Sequence, residues 1–189
     1  ALAMRHLLKG ISARTLLDVG AGSGFFSHHL LTHTDTAQAW CVDISYPDDS
    51  DATTAGKPVH YRRAIDTLDA DLVLLMDVLE HVDDDVGLLK SYVDKVPSGS
   101  RFLITVPAFQ FLWSGHDDFL EHKRRYTLGQ LEGVVAQAVP SAQWLPCIRA
   151  VPPGWSFDEI RPRDGEVTML FNSDRDGMHA LTVLLRPSC

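Results

Sequence analysis

"LLDVGAGSGFF", Leu16 to Phe26, runs from an apolar stretch through an acid into glycines at alternate positions and then into helix-forming residues. An apolar run bounded by glycine reads as a buried strand, and the residues after the glycines read as the start of a helix. A carboxylate at a strand end beside bare backbone is costly unless a cationic or hydroxyl-rich partner sits against it. The stretch therefore points to a ligand as well as to a strand, a turn and a helix.

The pattern continues along the chain. "TLLDV" (15–19) is the first strand, and "FFSHHLLTH" is a helix with Phe26, Leu30 and Leu31 on one face and His28 and His29 as surface or packing residues. "QAWCVDIS" (38–45) is a second strand that closes on Asp43, and the polar, turn-rich "YPDDSDATTAGKP" separates it from a weaker strand, "VHYRRAI" (59–65). "DLVLLMDV" (71–78) is apolar on both faces, as the centre of a parallel sheet should be, and carries Asp77 at its end. Aspartates at 83–85 favour the positive end of a helix dipole, and Val86, Leu89, Val93 and Val96 follow at helical spacing. "RFLITVPA" (101–108) is another strand, and Thr127 with Gln130 predicts a capping box for the helix "LGQLEGVVAQA". Met4, Leu7, Leu8 and Ile11 predict a short helix within residues 1–13. Alternation of strand and helix over 14–139 implies right-handed crossovers and a sheet covered on both faces. In 140–189 the alternation stops, and "QWLPCIRAV", "EVTMLF" and "HALTVLLRP" read as strands added at one edge.

At 189 residues the chain has the size of one domain, and 45% hydrophobic with 22% charged residues is the composition of a globular protein. No apolar run reaches membrane-spanning length and the opening "ALAMRHLLKG" lacks the apolar core of a secretory signal, so no membrane insertion and a cytoplasmic location are expected. A net charge of −8 repels polyanions, so general nucleic-acid binding is not expected, and the basic cluster "HKRRY" (122–126) is short and local. Cys41, Cys147 and Cys189 are too dispersed for a zinc site or a disulfide framework, and "HDDFLEH" lacks the close histidine pair of a zinc-protease helix. No metal is expected.

Ligands of an open parallel sheet sit beyond the carboxyl ends of its strands, and Asp18, Asp43 and Asp77 fall at such ends, along one rim. Gly20, Gly22 and Gly24 are spaced G-x-G-x-G rather than in the dinucleotide pattern G-x-G-x-x-G. Asp18 would do little for a pyrophosphate and suits an ammonium group, which disfavours an NAD(P)-binding oxidoreductase. Asp43 suits ribose hydroxyls with either cofactor. The connection 109–126 is too long for an idle loop and reads as an acceptor site or lid. Phe109, Phe111, Trp113 and Phe119 would give it an apolar pocket. Arg124 and Arg125 would grip a substrate carboxylate or phosphate, or else pair with Asp117, Asp118 or Glu121. His81, His116 and His122 are the candidate general bases among nine histidines.

Over residues 14–135, "LLDVGAGSGFF", "CVDIS" and "LVLLMDVLEHVDDD" resemble the motifs of class I S-adenosylmethionine-dependent methyltransferases. More narrowly, "DVLEHVDDD", "VPAFQFLWSGHD" and "HKRRYT" resemble a bacterial group acting on small molecules. The resemblance implies an α/β, doubly wound, Rossmann-like and mostly parallel seven-stranded sheet, with an antiparallel C-terminal hairpin and helices on both faces. It implies S-adenosyl-L-methionine as cofactor and methyl transfer to a small-molecule acceptor, with a non-catalytic methyltransferase-like scaffold as the alternative. Asp18 would hold the methionine ammonium directly or through water, with Gly20 and Gly22 giving close backbone approach. Asp43 would hold the ribose and Ile44 would pack on the adenine, whose edge Ile65 and Asp66 would contact. Asp77 and Val78 would border the methionine part, and Glu80 and His81 would face the reaction chamber.

Overall fold

A computed structural model describes residues 12–140 and Leu8, together with the strands Thr168–Ser173 and His179–Leu185. The expected helix within 1–13 and the strand "QWLPCIRAV" lie outside the described residues. The strands are β1 (Thr15–Val19), β2 (Gln38–Val42), β3 (Ser50–Thr54), β4 (Lys57–Arg62), β5 (Leu72–Met76), β6 (Arg101–Pro107), β7 (Thr168–Ser173) and β8 (His179–Leu185). The helices are α1 (Phe25–His33), α2 (Asp85–Val93), α3 (Gly115–Phe119) and α4 (Leu128–Ala138).

One sheet of eight strands takes the order β3-β4-β2-β1-β5-β6-β8-β7. β4, β2, β1, β5 and β6 are parallel, and β8 returns antiparallel to β6 with β7 paired antiparallel on its outer edge. The C-terminal hairpin is thus as expected, but among the described residues the sheet has eight strands rather than seven. The extra one is β3, in the stretch expected to be a turn. It pairs antiparallel with β4 through Ala55 and Gly56, whose φ values of 52° and 75° are those of a tight two-residue hairpin turn. Its residues are exposed almost throughout, so no apolar alternation marks it. β4 also ends at Arg62 instead of running to residue 65.

Strand alternation divides the core in two. Leu17, Val19, Val73, Leu75, Phe102 and Ile104 point to the face covered by α2 and α4, where Leu89, Leu131, Val135 and Ala138 meet them. Leu16, Leu72, Leu74 and Leu103 point to the other face, against Leu30 and Leu31 of α1. The chain turns outward in both directions from β1, so the switch point lies between β1 and β5, where an α/β sheet opens a cleft beyond its strand ends.

α4 begins at the expected capping box, with the Thr127 hydroxyl accepting from the Gln130 amide and the Gln130 side chain accepting from the Thr127 amide. Replacing Thr127 by Ala removes one half of this exchange. Urea unfolding should register a loss of about 1 kcal/mol with an unchanged slope; an unchanged midpoint would mean that α4 is held by its apolar face alone.

Candidate active site

The glycine loop joins β1 to α1 over the switch point. Asp18 lies inside β1, level with Cys41 of β2 and Leu74 of β5, and is 2% exposed. It is therefore set deeper than Asp43 and Asp77, which follow directly after β2 and β5. Its Oδ2 accepts from the Ser27 hydroxyl at 2.7 Å, so the carboxylate faces the first turn of α1. Burial pushes this carboxyl up to about 6 against the Ser27 hydrogen bonds that oppose it. Beyond it the backbone turns sharply: Gly20, Gly22 and Gly24 have φ of 65°, 51° and 74°. At Gly20 a side chain is excluded twice, because a Cβ would meet Val78 Cγ2 at 2.7 Å. A Cβ at Gly22 would meet nothing within 4 Å, so the loop is open to the outside there.

Asp43 closes the loop from the β2 side. Its carboxylate accepts from the Gly22 amide at 2.9 Å and from the Ser45 amide and hydroxyl at 2.9 and 2.6 Å. Partial burial would raise its pKa, but these hydrogen bonds outweigh it and hold the group below the ordinary carboxylate range. Ile44 beside it is 86% exposed, a bare apolar side chain at the strand tip. Tyr46, which the sequence did not single out, donates from its hydroxyl to the Gly22 carbonyl at 2.7 Å and packs edge-on against Tyr61. Ile65 is half-buried against the α2 and α4 core and Asp66 is exposed, both in the loop after β4.

Asp77 has φ of 58° and is clamped to β6, since Thr105 Oγ1 accepts from its amide and donates to its Oδ1, each at 3.0 Å. Solvent reaches Asp77, yet the surrounding protein desolvates the carboxyl enough to raise its pKa despite the Thr105 hydrogen bond. The next turn carries Glu80 and His81. Glu80 is 0% exposed and neither carboxylate oxygen has a hydrogen-bond partner among the described residues. Burial, then the charge of Asp77, push it up to about 9. The His81 ring meets that of His122 edge-on at 4.8 Å, and partial desolvation followed by that neighbour lowers its pKa.

The connection 109–126 is organised around a different acid. Asp117 is 0% exposed and takes Arg125 Nε and Nη2 at 2.7 and 2.8 Å, His122 Nδ1 at 2.9 Å and the Ser114 amide at 2.8 Å. Burial alone would raise Asp117, but Arg125 and His122 hold it far below the ordinary range. Arg124 bonds Asp85 and the carbonyls of Val82 and Asp83 at 3.0 Å each. Both guanidiniums expected to grip a substrate anion thus serve the protein's own acids and turn carbonyls. Trp113 donates to Asp118 at 2.9 Å, while His116 is exposed on α3, its amide bonded to Ser114 Oγ. The structure therefore brings His81 and His122 together with Glu80. Phe111 and Phe119 are each 81% exposed, and Phe109 stacks on Phe111 at 5.5 Å.

Asp18 gives a pH test. Its carboxyl sits above the value near 3.9 of an unfolded chain, so the native state holds the proton more tightly and stability falls as pH rises from about 4 to about 6. Asp18→Asn should therefore raise the melting temperature at pH 8, by the equivalent of roughly 2 kcal/mol, and match the parent below pH 4. A variant less stable than the parent at pH 8 would show that the carboxylate is stabilised rather than strained.

Residues 2–146 match the family model described as "Methyltransferase domain". No curated protein matches the sequence. Among solved structures, a Burkholderia thailandensis 1,6-didemethyltoxoflavin-N1-methyltransferase with bound 1,6-didemethyltoxoflavin and S-adenosylhomocysteine is 16% identical, with a TM-score of 0.63 over 99% of this chain and 76% of that one. The N-methyltransferase NodS of Bradyrhizobium japonicum, in complex with S-adenosylhomocysteine, is 12% identical, with a TM-score of 0.58 over 98% of this chain and 84% of that one. A Nostoc punctiforme protein described as an O-methyltransferase is 16% identical, with a TM-score of 0.59 over 96% of this chain, which spans 54% of its length. These likenesses are of fold. Among the described residues no helix is long and apolar enough to cross a membrane. The matched span takes in the glycine loop, the strand-end acids and the connection 109–126, and the chain belongs to the methyltransferase-domain family, S-adenosylmethionine-dependent enzymes of this fold.

Proposed function

We propose that the protein transfers the sulfonium methyl of S-adenosylmethionine to a small-molecule acceptor held over the rim between the glycine loop and residues 109–126. The reading is carried above all by Asp43: a carboxylate turned back onto the Gly22 amide, with the bare side chain of Ile44 at its side. A ribose hydroxyl would add to the remaining lone pair of Asp43 Oδ2, and adenine would cover Ile44, with Ile65 and Asp66 near its edge. The open space at Gly22 would admit the cofactor backbone. Asp18 would act on the methionine ammonium through water or by fixing the loop, since its Oδ2 is bonded to Ser27. Asp77 and Val78 would border the sulfur and the methyl.

Displacement at a sulfonium has a good leaving group, so alignment and exclusion of water supply most of the acceleration. For an acceptor bearing a proton, the candidate bases are His116, the exposed imidazole of the connection, and His81, on the turn after β5. Trp113, Phe111 and Phe119 would shelter the acceptor.

Calorimetric titration with S-adenosylhomocysteine, with NAD and NADP in parallel, tests the cofactor half. Saturable binding of the first alone is expected, and Asp43→Ala should weaken it at least tenfold while leaving the melting temperature within a few degrees. Binding of a dinucleotide instead would overturn the reading. Cofactor binding without turnover across hydroxyl, amine and carbon acceptors would favour a scaffold.

A further inference from the structure

We propose that Glu80, His81 and His122 form a binding site for a divalent first-row transition metal ion between the turn after β5 and the end of the connection 109–126. One ligand atom from each of the three side chains can be chosen so that all lie within 4.8 Å of one another. Donor atoms around such an ion stand roughly 3–3.5 Å apart at bond lengths of about 2.0–2.2 Å, so a small inward rotation of the side chains would close the set.

The surroundings fit this role. Glu80 is 0% exposed with both oxygens unpartnered among the described residues, an arrangement that a buried carboxyl group does not hold without cost. His122, its side chain 8% exposed, gives Nδ1 to Asp117 at 2.9 Å, which leaves Nε2 as the ligand atom and fixes the ring. Asp117 is locked in turn by two bonds from Arg125. A carboxylate behind an imidazole is the usual outer support of a metal-bound histidine. The two segments that supply the ligands are also fastened to each other, by the Lys123 amide on the Glu80 carbonyl at 2.8 Å, Lys123 Nζ on Asp83 at 2.7 Å and Arg124 on the Val82 and Asp83 carbonyls. The ligand frame is thus built in advance of any ion.

Two imidazoles and one carboxylate favour manganese, iron, cobalt or zinc over calcium or magnesium, and three protein ligands leave coordination positions open. On the methyl-transfer reading, on which this last step rests, an open coordination position would take an acceptor hydroxyl and ease loss of its proton. The acceptor hydroxyl would lose its proton to water, its oxygen would bond to the methyl carbon, and the carbon–sulfur bond would break with its electron pair left on sulfur.

The test uses protein stripped with EDTA and titrated with Co²⁺ alone, followed by visible absorption and calorimetry. One equivalent per chain, displaced by Zn²⁺, is expected. Glu80→Gln and His81→Ala should each weaken binding at least tenfold with circular dichroism unchanged; His81 is exposed, so its variant remains informative if the first misfolds. Asp94→Asn, which alters an exposed helix pair with Lys90, should bind as the parent does. Absence of saturable binding by the parent, or equal binding by both ligand variants, overturns the proposal. S-adenosylhomocysteine titrated into the stripped protein separates the two claims: cofactor binding with no Co²⁺ site removes the metal alone, and a Co²⁺ site without cofactor binding removes the cofactor reading alone.

Discussion

The hydrogen bond from Ser27 to Asp18 ties the first strand to the helix that follows it, and the glycine loop is arranged around that link. A carboxylate one position short of the strand end is shut inside the sheet, so it faces the first turn of α1, where backbone amides and the helix dipole favour negative charge. With both ends of the loop fixed, the three intervening glycines take up backbone angles that other residues rarely adopt. The result is an amide, that of Gly22, aimed at Asp43, and a backbone that passes Val78 too closely for any side chain at Gly20. β1, β2 and β5 therefore meet at one place through contacts that begin at Asp18.

Asp117 plays the corresponding part in the connection 109–126. It is fully buried, and its two oxygens collect a guanidinium, an imidazole and a backbone amide. A charge so placed is tolerated only while its partners stay in position, and removing one partner of a buried pair typically costs about 3–5 kcal/mol. The connection 109–126 is accordingly a braced structure, pinned to the sheet by the bridge between Ala108 and Tyr126 and by Tyr126 on Asp85 at 2.8 Å. Its exposed aromatics, Phe111 and Phe119, ride on this frame.

Much of the frame was legible from the sequence because burial writes itself as periodicity. β1 spans the residues expected of it, and α1 occupies the whole of "FFSHHLLTH" with Leu30 and Leu31 inward. Where burial is absent the signal is absent too: β3 is a solvent-facing edge strand whose turn is Ala-Gly rather than the more telling Asn-Gly, so it read as a loop. Side-chain partners were less legible than elements. Arg124 and Arg125 were read as open to substrate or to nearby acids, and Arg125 does take Asp117, but Arg124 turns to Asp85 and to carbonyls that only the fold brings near. The same limit hid the grouping of Glu80 and His81 with His122, since separation along the chain says nothing of a turn after β5 meeting the end of a connection after β6.

The rim as built is acidic, with Asp18, Asp43, Asp77 and Glu80 within a chain of net charge −8. Such a field has a direction in the chemistry of this family. S-adenosylmethionine carries a sulfonium and an ammonium, whereas the product, after the methyl leaves, keeps the ammonium and loses the sulfonium charge. A cofactor held against such acids would be attracted more strongly in its reactant form than in its product form. Desolvation raises the carboxyls of Asp18, Asp77 and Glu80, which moderates the effect. Ionisation of such carboxyls and occupation by a cation would be linked, each favouring the other.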